Sequence, residues 1–273
     1  MNLLYRSFFG LIILSILVAI YGLLEPRLIE IKNNEILRKD IPKKFNNYKI
    51  AFISDIHYNN ISSESHMRNV VKKVNALNPD IILLGGDYTD SDEKYIDPVF
   101  NILKGLKAKD GVYGVIGNHD FYKNCKDKTL ESMEKSDIKS LDNEGVWIKK
   151  SDEKIRIGGV GDYWHDAQLP ENTTEPAKKD DFILLVSHNP DYVEELKDEK
   201  VDLILSGHTH GGQITFFGLY APKIPSYYGQ KYKTGLIKTG KYDVIVSNGI
   251  GYIGLPIRFF AKPQINLIEL KKI

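Results

Sequence analysis

The apolar residues of this chain fall into one long N-terminal run and a series of short runs further along. From Ser7 to Leu24 there are 18 uncharged residues, which as a helix would extend about 27 Å and so would just cross a bilayer. The run is long for a signal peptide, and no small-residue cleavage pattern precedes Glu25. We predict an uncleaved membrane anchor, with a cleaved signal peptide or a buried core helix as alternatives. Positive charges flank the run on both sides, so the side of the membrane that holds the remaining chain stays open.

The segment after this run is polar. Residues 26–47 alternate in charge and include two prolines, which predicts a membrane-proximal stem that could include one edge strand. We therefore divide the chain into an anchor at residues 1–30, a stem at residues 31–47 and a domain at residues 48–273. The domain segment is long enough for one large α/β domain or two small ones, and no low-complexity linker divides it.

Five short apolar runs predict the main strands of the domain. They are mostly continuous rather than alternating, which indicates strands covered on both faces. The runs are residues 50–53, 81–84, 112–116, 182–186 and 201–205. Apolar residues recur at helical spacing from Met67 to Leu77, and a second helix is predicted between Tyr95 and Leu106. Further strand-like segments at residues 155–160, 242–247 and 264–270 favour two sheets over one in an α/β fold.

The composition of the chain mainly excludes certain partners and certain kinds of metal site. The chain is 42% hydrophobic and 27% charged, with a formal net charge of +1, so it has no basic excess for neutralising a phosphate backbone and we predict no nucleic-acid partner. Its one cysteine, Cys125, can form neither an intramolecular disulfide nor a thiolate metal cage. Any metal site must therefore use His, Asp, Glu and Asn side chains.

A polar cluster follows each of the five main strands. The clusters are Asp55-Ile56-His57, Gly86-Asp87, Asn118-His119-Asp120, His188 and His208-Thr209-His210. Taken singly, most are ordinary turn or helix-cap residues, although two imidazoles one residue apart in a tight turn can face one centre. Ligands of open α/β sheets bind outside the carboxyl ends of the strands. We therefore expect these side chains to converge at one rim.

In this order the clusters resemble the signature of the calcineurin-like metallophosphoesterase superfamily, which runs DxH, GDxxD, GNH[DE], H and GHxH. The longer sequence GHTHGGQ at residues 207–213, SNGIG at residues 247–251 and the N-terminal anchor are similar to its bacterial membrane-anchored YkuE/YaeI-like branch. The resemblance covers the chain from Tyr48 onward. It implies a four-layer α/β/β/α sandwich, in which two mixed sheets are flanked by helices, preceded by one transmembrane helix.

The resemblance also implies a centre of two divalent metal ions, Mn²⁺, Zn²⁺ or Fe, bridged by a carboxylate. The implied ligands are Asp87 as the bridge, Asp55, His57 and His210 for the first ion, and Asn118, His188 and His208 for the second. His119 is then not a ligand but a catalytic residue that protonates the leaving oxygen or steadies the transition state. Asp90, the second Asp of GDxxD, fits the role of orienting His119, and Asp120 is the competing candidate.

The predicted function is metal-dependent hydrolysis of a phosphomonoester or phosphodiester by a single-pass protein of the cell membrane. Ser91 stands where the protein Ser/Thr phosphatases of the superfamily carry Arg-Gly, which disfavours a protein substrate. Arg258 is either a contact for an anionic substrate or lipid headgroup, or an ordinary surface or ion-paired arginine. The alternatives are a UDP-2,3-diacylglucosamine-type pyrophosphatase acting on a lipid-linked nucleotide, and a metal-binding scaffold without catalysis.

Overall fold

The N-terminal apolar run forms a helix that stands almost clear of the rest of the protein. The computed structural model describes residues 3–273, and side chains from residue 5 onward. Helix α1, Leu3–Leu24, is long and apolar enough to cross a membrane. Its side chains from Tyr5 to Ile20 are exposed, and burial begins only at Tyr21 and Gly22 in its last turn.

Twelve strands and five further helices make up the described remainder of the chain. The strands are β1 Glu30–Arg38, β2 Tyr48–Ile53, β3 Ile81–Leu84, β4 Val112–Gly114, β5 Ile138–Ser140, β6 Gly145–Lys150, β7 Glu153–Gly159, β8 Ile183–Val186, β9 Leu203–Ser206, β10 Gly235–Lys238, β11 Asp243–Val246 and β12 Gln264–Lys272. The helices are α2 Glu64–Ala76, α3 Ile96–Leu103, α4 Asn118–Phe121, α5 Lys126–Lys135 and α6 Glu171–Thr174.

The strands form two mixed sheets of six strands each. The first has the order β1-β12-β2-β3-β4-β5 and the second β10-β11-β9-β8-β7-β6. In the first sheet only the β12–β2 pair is antiparallel. In the second sheet the β10–β11 and β6–β7 pairs at the two edges are antiparallel. The predicted α/β architecture with two mixed sheets is confirmed.

The alternation of side chains along each strand produces the layers. In β2, Ile50 and Phe52 lie in the core between the two sheets, whereas Ala51 and Ile53 pack beneath α2 and α3. In the second sheet, Leu184 faces the first sheet and Leu185 faces outward. The outward face is covered by α6, a 3-10 helix at Pro190–Glu194 and loops, so this outer helical layer is thinner than the one over the first sheet.

The segment predicted as a stem is built into the first sheet. Strand β1 pairs in parallel with β12 from Glu30 to Arg38, and Asn34 and Ile36 are buried. Pairing with β1 satisfies the backbone N–H and C=O groups along one edge of β12, which would otherwise be open to other chains. The edge strand allowed for by the sequence therefore belongs to the domain.

Six elements are not predicted from the apolar pattern, among them the four-residue helices α4 and α6. Helix α5 buries only Thr129, Ser132 and Met133, so it has no apolar stripe, and β5 is three residues long. Strands β6 and β10 are partly exposed edge strands. Such elements depend on the neighbours against which they pack rather than on a strong local pattern.

Helix α1 ends at Leu24, before residue 30, which is the end of the anchor predicted from the sequence; the division into anchor, stem and domain stays a prediction. Glu25 is fully buried, and its carboxylate accepts hydrogen bonds from the backbone N–H groups of Phe260 at 2.8 Å and Ala261 at 2.5 Å. These bonds tie the end of α1 to the loop before β12.

We expect Glu25→Ala to lower the free energy of unfolding by about 1–3 kcal/mol, because two backbone donors lose a charged acceptor in a buried place. Glu35→Ala is the matched control, since Glu35 is exposed on β1 and its loss should change stability by less than about 0.5 kcal/mol. Denaturant unfolding of the full chain in detergent measures both. Equal stability of the two variants would contradict the anchoring role of Glu25.

Candidate metal centre

Five loops meet where the carboxyl ends of strands from both sheets come together. They follow β2, β3 and β4 in the first sheet and β8 and β9 in the second, and these are neighbours within each sheet. The loop residues with left-handed backbone, at φ values from 46° to 69°, include Asp55, His57, Asp87, His208 and His210. A left-handed conformation at a residue other than glycine costs about 1 kcal/mol or more, and a concentration of such residues in neighbouring loops is typical of functional sites.

The Asp87 carboxylate lies at the middle of the site. Its Oδ2 is 3.4 Å from His57 Nε2 on one side and 3.3 Å from His188 Nε2 on the other. The side chains of both histidines are fully buried. One carboxylate oxygen is thus shared by two histidines that come from different sheets, since His57 follows β2 and His188 follows β8.

The first donor group contains Asp55, His57 and His210. His57 Nε2 and His210 Nε2 face each other at 3.1 Å, and His210 Nε2 is 3.5 Å from Asp55 Oδ1. All three residues are buried, and their ligand atoms lie within 4.8 Å of one another.

The second donor group contains Asn118, His188 and His208. His188 Nε2 is 3.2 Å from Asn118 Oδ1 and 3.3 Å from His208 Nδ1. His188 Nδ1 is 2.7 Å from the Gly85 carbonyl oxygen. A hydrogen bond from Nδ1–H to this oxygen leaves Nε2 with its lone pair toward the centre.

The donor atoms fit a pair of cations better than they fit one another. Asp55 Oδ2 is buried and makes no hydrogen bond to the described residues, although buried polar atoms are nearly always paired. Imidazole nitrogens and carboxylate oxygens crowd together where their lone pairs would repel. A nitrogen and oxygen donor set without sulfur suits manganese, iron or zinc. These donor groups could hold divalent metal ions.

Before a cation binds, the electrostatics already give three of the donor side chains the protonation state that a metal ligand needs. Burial opposes ionisation of Asp87, but the nearby His188, together with His57 and His119, outweighs burial and holds the pKa of Asp87 well below its ordinary value. Burial and His188 together lower the pKa of His208 to about 3. Burial and His57 likewise lower the pKa of His210. Asp87 is therefore ionised and these two histidines are neutral, as metal ligands must be. Burial opposes protonation of His188, but the charge of Asp87 raises the pKa of His188 to about 10, so His188 must give up a proton when a cation binds.

His119 lies at the edge of the two donor groups. Its ring centre is 4.8 Å from that of His57 in an edge-on arrangement, and its backbone N–H donates to Asp87 Oδ1 at 2.8 Å. Its Nδ1 is 3.3 Å from Ser91 Oγ. The side chain is only partly buried, so it can reach a molecule bound at the centre.

Comparison with known proteins identifies the family of this chain. The family described as calcineurin-like phosphoesterase matches residues 48–212, which include every residue of the two donor groups. This chain belongs to the calcineurin-like phosphoesterase family. The resemblance inferred from the five motifs is confirmed, and the chain is a metallophosphoesterase.

Relatives are similar along most of the chain. The "Uncharacterized metallophosphoesterase YkuE" of Bacillus subtilis is 33% identical over 91% of this chain and 87% of its own length. "Phosphodiesterase YaeI" of Escherichia coli is 29% identical over 82% of each chain. A "Transmembrane protein with metallophosphoesterase domain" of Danio rerio is 27% identical over 96% of this chain, and the matched region is 62% of that longer protein.

The phosphoesterase does not pair Asp90 with His119 as predicted. Asp90 Oδ1 lies 2.6 Å from His57 Nδ1, and Oδ2 accepts from Asn59 Nδ2 at 2.7 Å. No hydrogen bond joins Asp90 to His119 among the described residues. Asp90 instead fixes the ring of His57, so that Nε2 points to the centre. Partners of this kind orient a ligand histidine and raise its basicity.

Asp120, the competing candidate for orienting His119, instead joins two loops. Its buried carboxylate accepts from the backbone N–H groups of Asp87 and Gly117, each at 2.8 Å, and of Tyr88 at 3.0 Å. Burial and the charge of Asp87 raise the pKa of Asp120 to about 7. It holds the loop after β3 against the loop after β4, and it has no hydrogen bond to His119 in the described part of the chain.

Arg258 is neither a surface residue nor a substrate contact. It is fully buried and donates to the carbonyl oxygens of Asn248 at 2.7 Å and Ala261 at 2.7 Å. Its Nη2 lies 3.4 Å from His210 Nδ1. Burial lowers the pKa of Arg258 to about 10. The side chain supports His210 from behind, and both sequence interpretations of it are wrong.

Two aromatic residues beside the centre carry no signal in the sequence. The Trp164 ring stands edge-on to His208 at 4.6 Å between centres, and the Tyr122 ring stands edge-on to His119 at 5.5 Å. Both side chains are partly exposed. They lie outside the five motifs, so only the folded chain places them at the site.

We expect Asp90→Asn to weaken metal binding by roughly 10- to 100-fold, because the amide removes the charge that supports His57. Asp92→Asn is the control, since Asp92 pairs with Lys94 at the surface and should leave metal affinity unchanged. Competition with a metal chelator measures both affinities. Unchanged metal affinity with a loss confined to poor leaving groups would instead assign Asp90 to His119.

Proposed function

We propose that this phosphoesterase hydrolyses a phosphomonoester or phosphodiester at a pair of divalent ions, Mn²⁺, Zn²⁺ or Fe. The observation that carries the proposal is the position of Asp87 Oδ2, within 3.4 Å of a histidine from each donor group. The proposed ligands are Asp87 as the bridge, Asp55, His57 and His210 for one ion, and Asn118, His188 and His208 for the other. When bound, such a pair activates water and neutralises phosphoryl oxygens.

His119 is the proposed proton donor to the leaving oxygen. Its Nε2 makes no hydrogen bond to the described residues, while its backbone N–H is held by Asp87. Burial lowers the pKa of His119, although the charge of Asp87 opposes this. A protonated imidazole with a lowered pKa gives up its proton more readily than an ordinary one. A scaffold without catalysis would have no need of this group beside the bridging carboxylate.

Helix α1 is the proposed single-pass anchor in the cell membrane. Its apolar side chains are exposed along nearly the whole helix, and in water this exposure would be unfavourable. The Danio rerio relative is itself named a transmembrane protein.

A lipid-linked phosphate, such as a UDP-2,3-diacylglucosamine-type pyrophosphate, is a second candidate substrate class. An apolar cleft of about 480 Å³ opens beside His210, and its walls include Ile214, Pro225 and Ile253. A cleft of this size next to the donor groups could hold part of an apolar tail.

The basic test is hydrolysis by the full chain in detergent, with bis-p-nitrophenyl phosphate and p-nitrophenyl phosphate as diester and monoester. We expect activity with manganese or zinc and none with EDTA. Asp87→Ala should abolish hydrolysis and reduce bound metal from two ions towards one or none, because no neighbouring group replaces a bridging carboxylate. Retention of two equivalents of metal by the variant would show that Asp87 is not the bridge.

His119→Asn should keep both metal ions yet lose roughly two to four orders of magnitude in rate on an ester with a high-pKa leaving group. A nitrophenolate departs without protonation, so its release should be affected much less. Rates on the two classes of ester, with metal content from the same preparation, make the comparison.

His210→Asn is the matched ligand variant, and it should lower metal content and slow both esters alike. His66→Asn, on α2 outside the site, should change neither quantity. If His119→Asn slowed both esters equally with metal retained, general-acid catalysis would be excluded, and His119 would act only on the charge of the transferring group.

A further inference from the structure

Two neighbouring loops of the domain expose large apolar side chains side by side. Phe217, Leu219 and Leu255 are 74%, 83% and 70% exposed. We call Phe216, Phe217, Leu219, Ile253, Leu255 and Phe260 the apolar patch. Contiguous apolar surface of this kind on a folded domain marks a site of interaction.

The two loops are held in place rather than free. The Gln213 side chain donates to the Ile253 carbonyl oxygen at 3.0 Å and accepts from the Ile253 N–H at 2.8 Å. Lys233 Nζ donates to the carbonyl oxygens of Gly218 at 2.7 Å and Leu219 at 2.8 Å. These hydrogen bonds fix the backbone of the two loops, and the apolar side chains point away from the domain.

The patch is continuous with the last turn of α1. The Tyr21 ring lies 5.5 Å from that of Phe260, and the Phe260 ring lies 5.1 Å from that of Phe217. The Arg258 N–H donates to the Gly22 carbonyl oxygen at 3.1 Å. Because α1 extends about 33 Å for 22 residues, its last turn would lie at the boundary of a hydrocarbon core about 30 Å thick.

We propose that the apolar patch inserts into the headgroup and acyl boundary of the leaflet that α1 enters at its C-terminal end. The proposal rests on α1 as a membrane anchor. Phe and Leu are typical of the faces that interfacial segments bury at this boundary, and Phe216, Phe217 and Phe260 supply three such side chains. The patch shares Ile253 with the cleft beside His210, so docking would hold the open side of the cleft at the membrane surface.

Single-cysteine labelling of the full chain tests the depth of the patch. Cys125, the one native cysteine, is buried, so a new surface cysteine is the main site for a nitroxide label. Phe217→Cys and Leu219→Cys are labelled in vesicles of phosphatidylcholine and phosphatidylglycerol. The collision rates of each nitroxide with oxygen and with a water-soluble nickel chelate then measure the depth of the label in the bilayer. We expect both labels about 5–10 Å inside the boundary.

Labels at two further positions serve as controls for depth. Leu37→Cys is the exposed control, because Leu37 is 55% exposed on β1 and lies about 24 Å along the strand from Glu30; its label should be aqueous. Leu14→Cys reports on α1 and should be deep in the hydrocarbon. Unchanged hydrolysis of a water-soluble ester by each labelled protein verifies the fold.

Labels at 217 and 219 that meet the nickel chelate as often as the label at 37 would overturn the docking proposal, while a deep label at 14 would leave the anchor intact. An aqueous label at 14 would overturn both. Low collision with both reagents, together with spin–spin broadening between labels, would show that a second copy of the chain covers the patch, and this also overturns it.

Discussion

The structure depends on one buried carboxylate that must lie close to two groups of electron-rich donors. Asp87 Oδ2 is within 3.4 Å of His57 and His188, in a place from which water is largely excluded. Without cations, several lone pairs would face one another at short range, and the buried carboxylate would be balanced only by protons on neighbouring histidines, above all His188. With cations, the same crowding becomes a coordination site. The charge of Asp87 and of the donor groups around it therefore connects the packing of these loops to metal binding.

Much of the surrounding structure serves to hold that arrangement. Asp120 joins the loops after β3 and β4 through three backbone N–H groups, Asp90 fixes the ring of His57, and Arg258 supports His210 from behind. None of these three side chains needs to touch the substrate. Each restricts the movement of a donor side chain or of the loop that carries it. Contacts of this kind hold the ligands of a metal centre in the orientation that binding needs.

The end of the molecule near α1 is linked to the same centre. Glu25 ties the helix to the loop before β12, and Arg258 in that loop reaches both the Gly22 carbonyl oxygen and His210. Helix α1, the apolar patch and one side of the centre are therefore linked through a few buried residues. The cleft beside His210 shares Ile253 with the apolar patch, so the proposed docking would bring the cleft to the membrane surface.

The sequence by itself determined the five main strands, the order of the five motifs and the family, because each motif follows a continuous apolar run and both are local features. The convergence of the ligands also followed, since the carboxyl ends of parallel strands share one edge. Only the tertiary structure decided which groups those residues contact. Asp90 pairs with His57 rather than His119, and Arg258 is buried, because loops distant in the chain pack against each other. Strand β1 likewise forms against β12, more than 200 residues away, and no local pattern specifies such a partner.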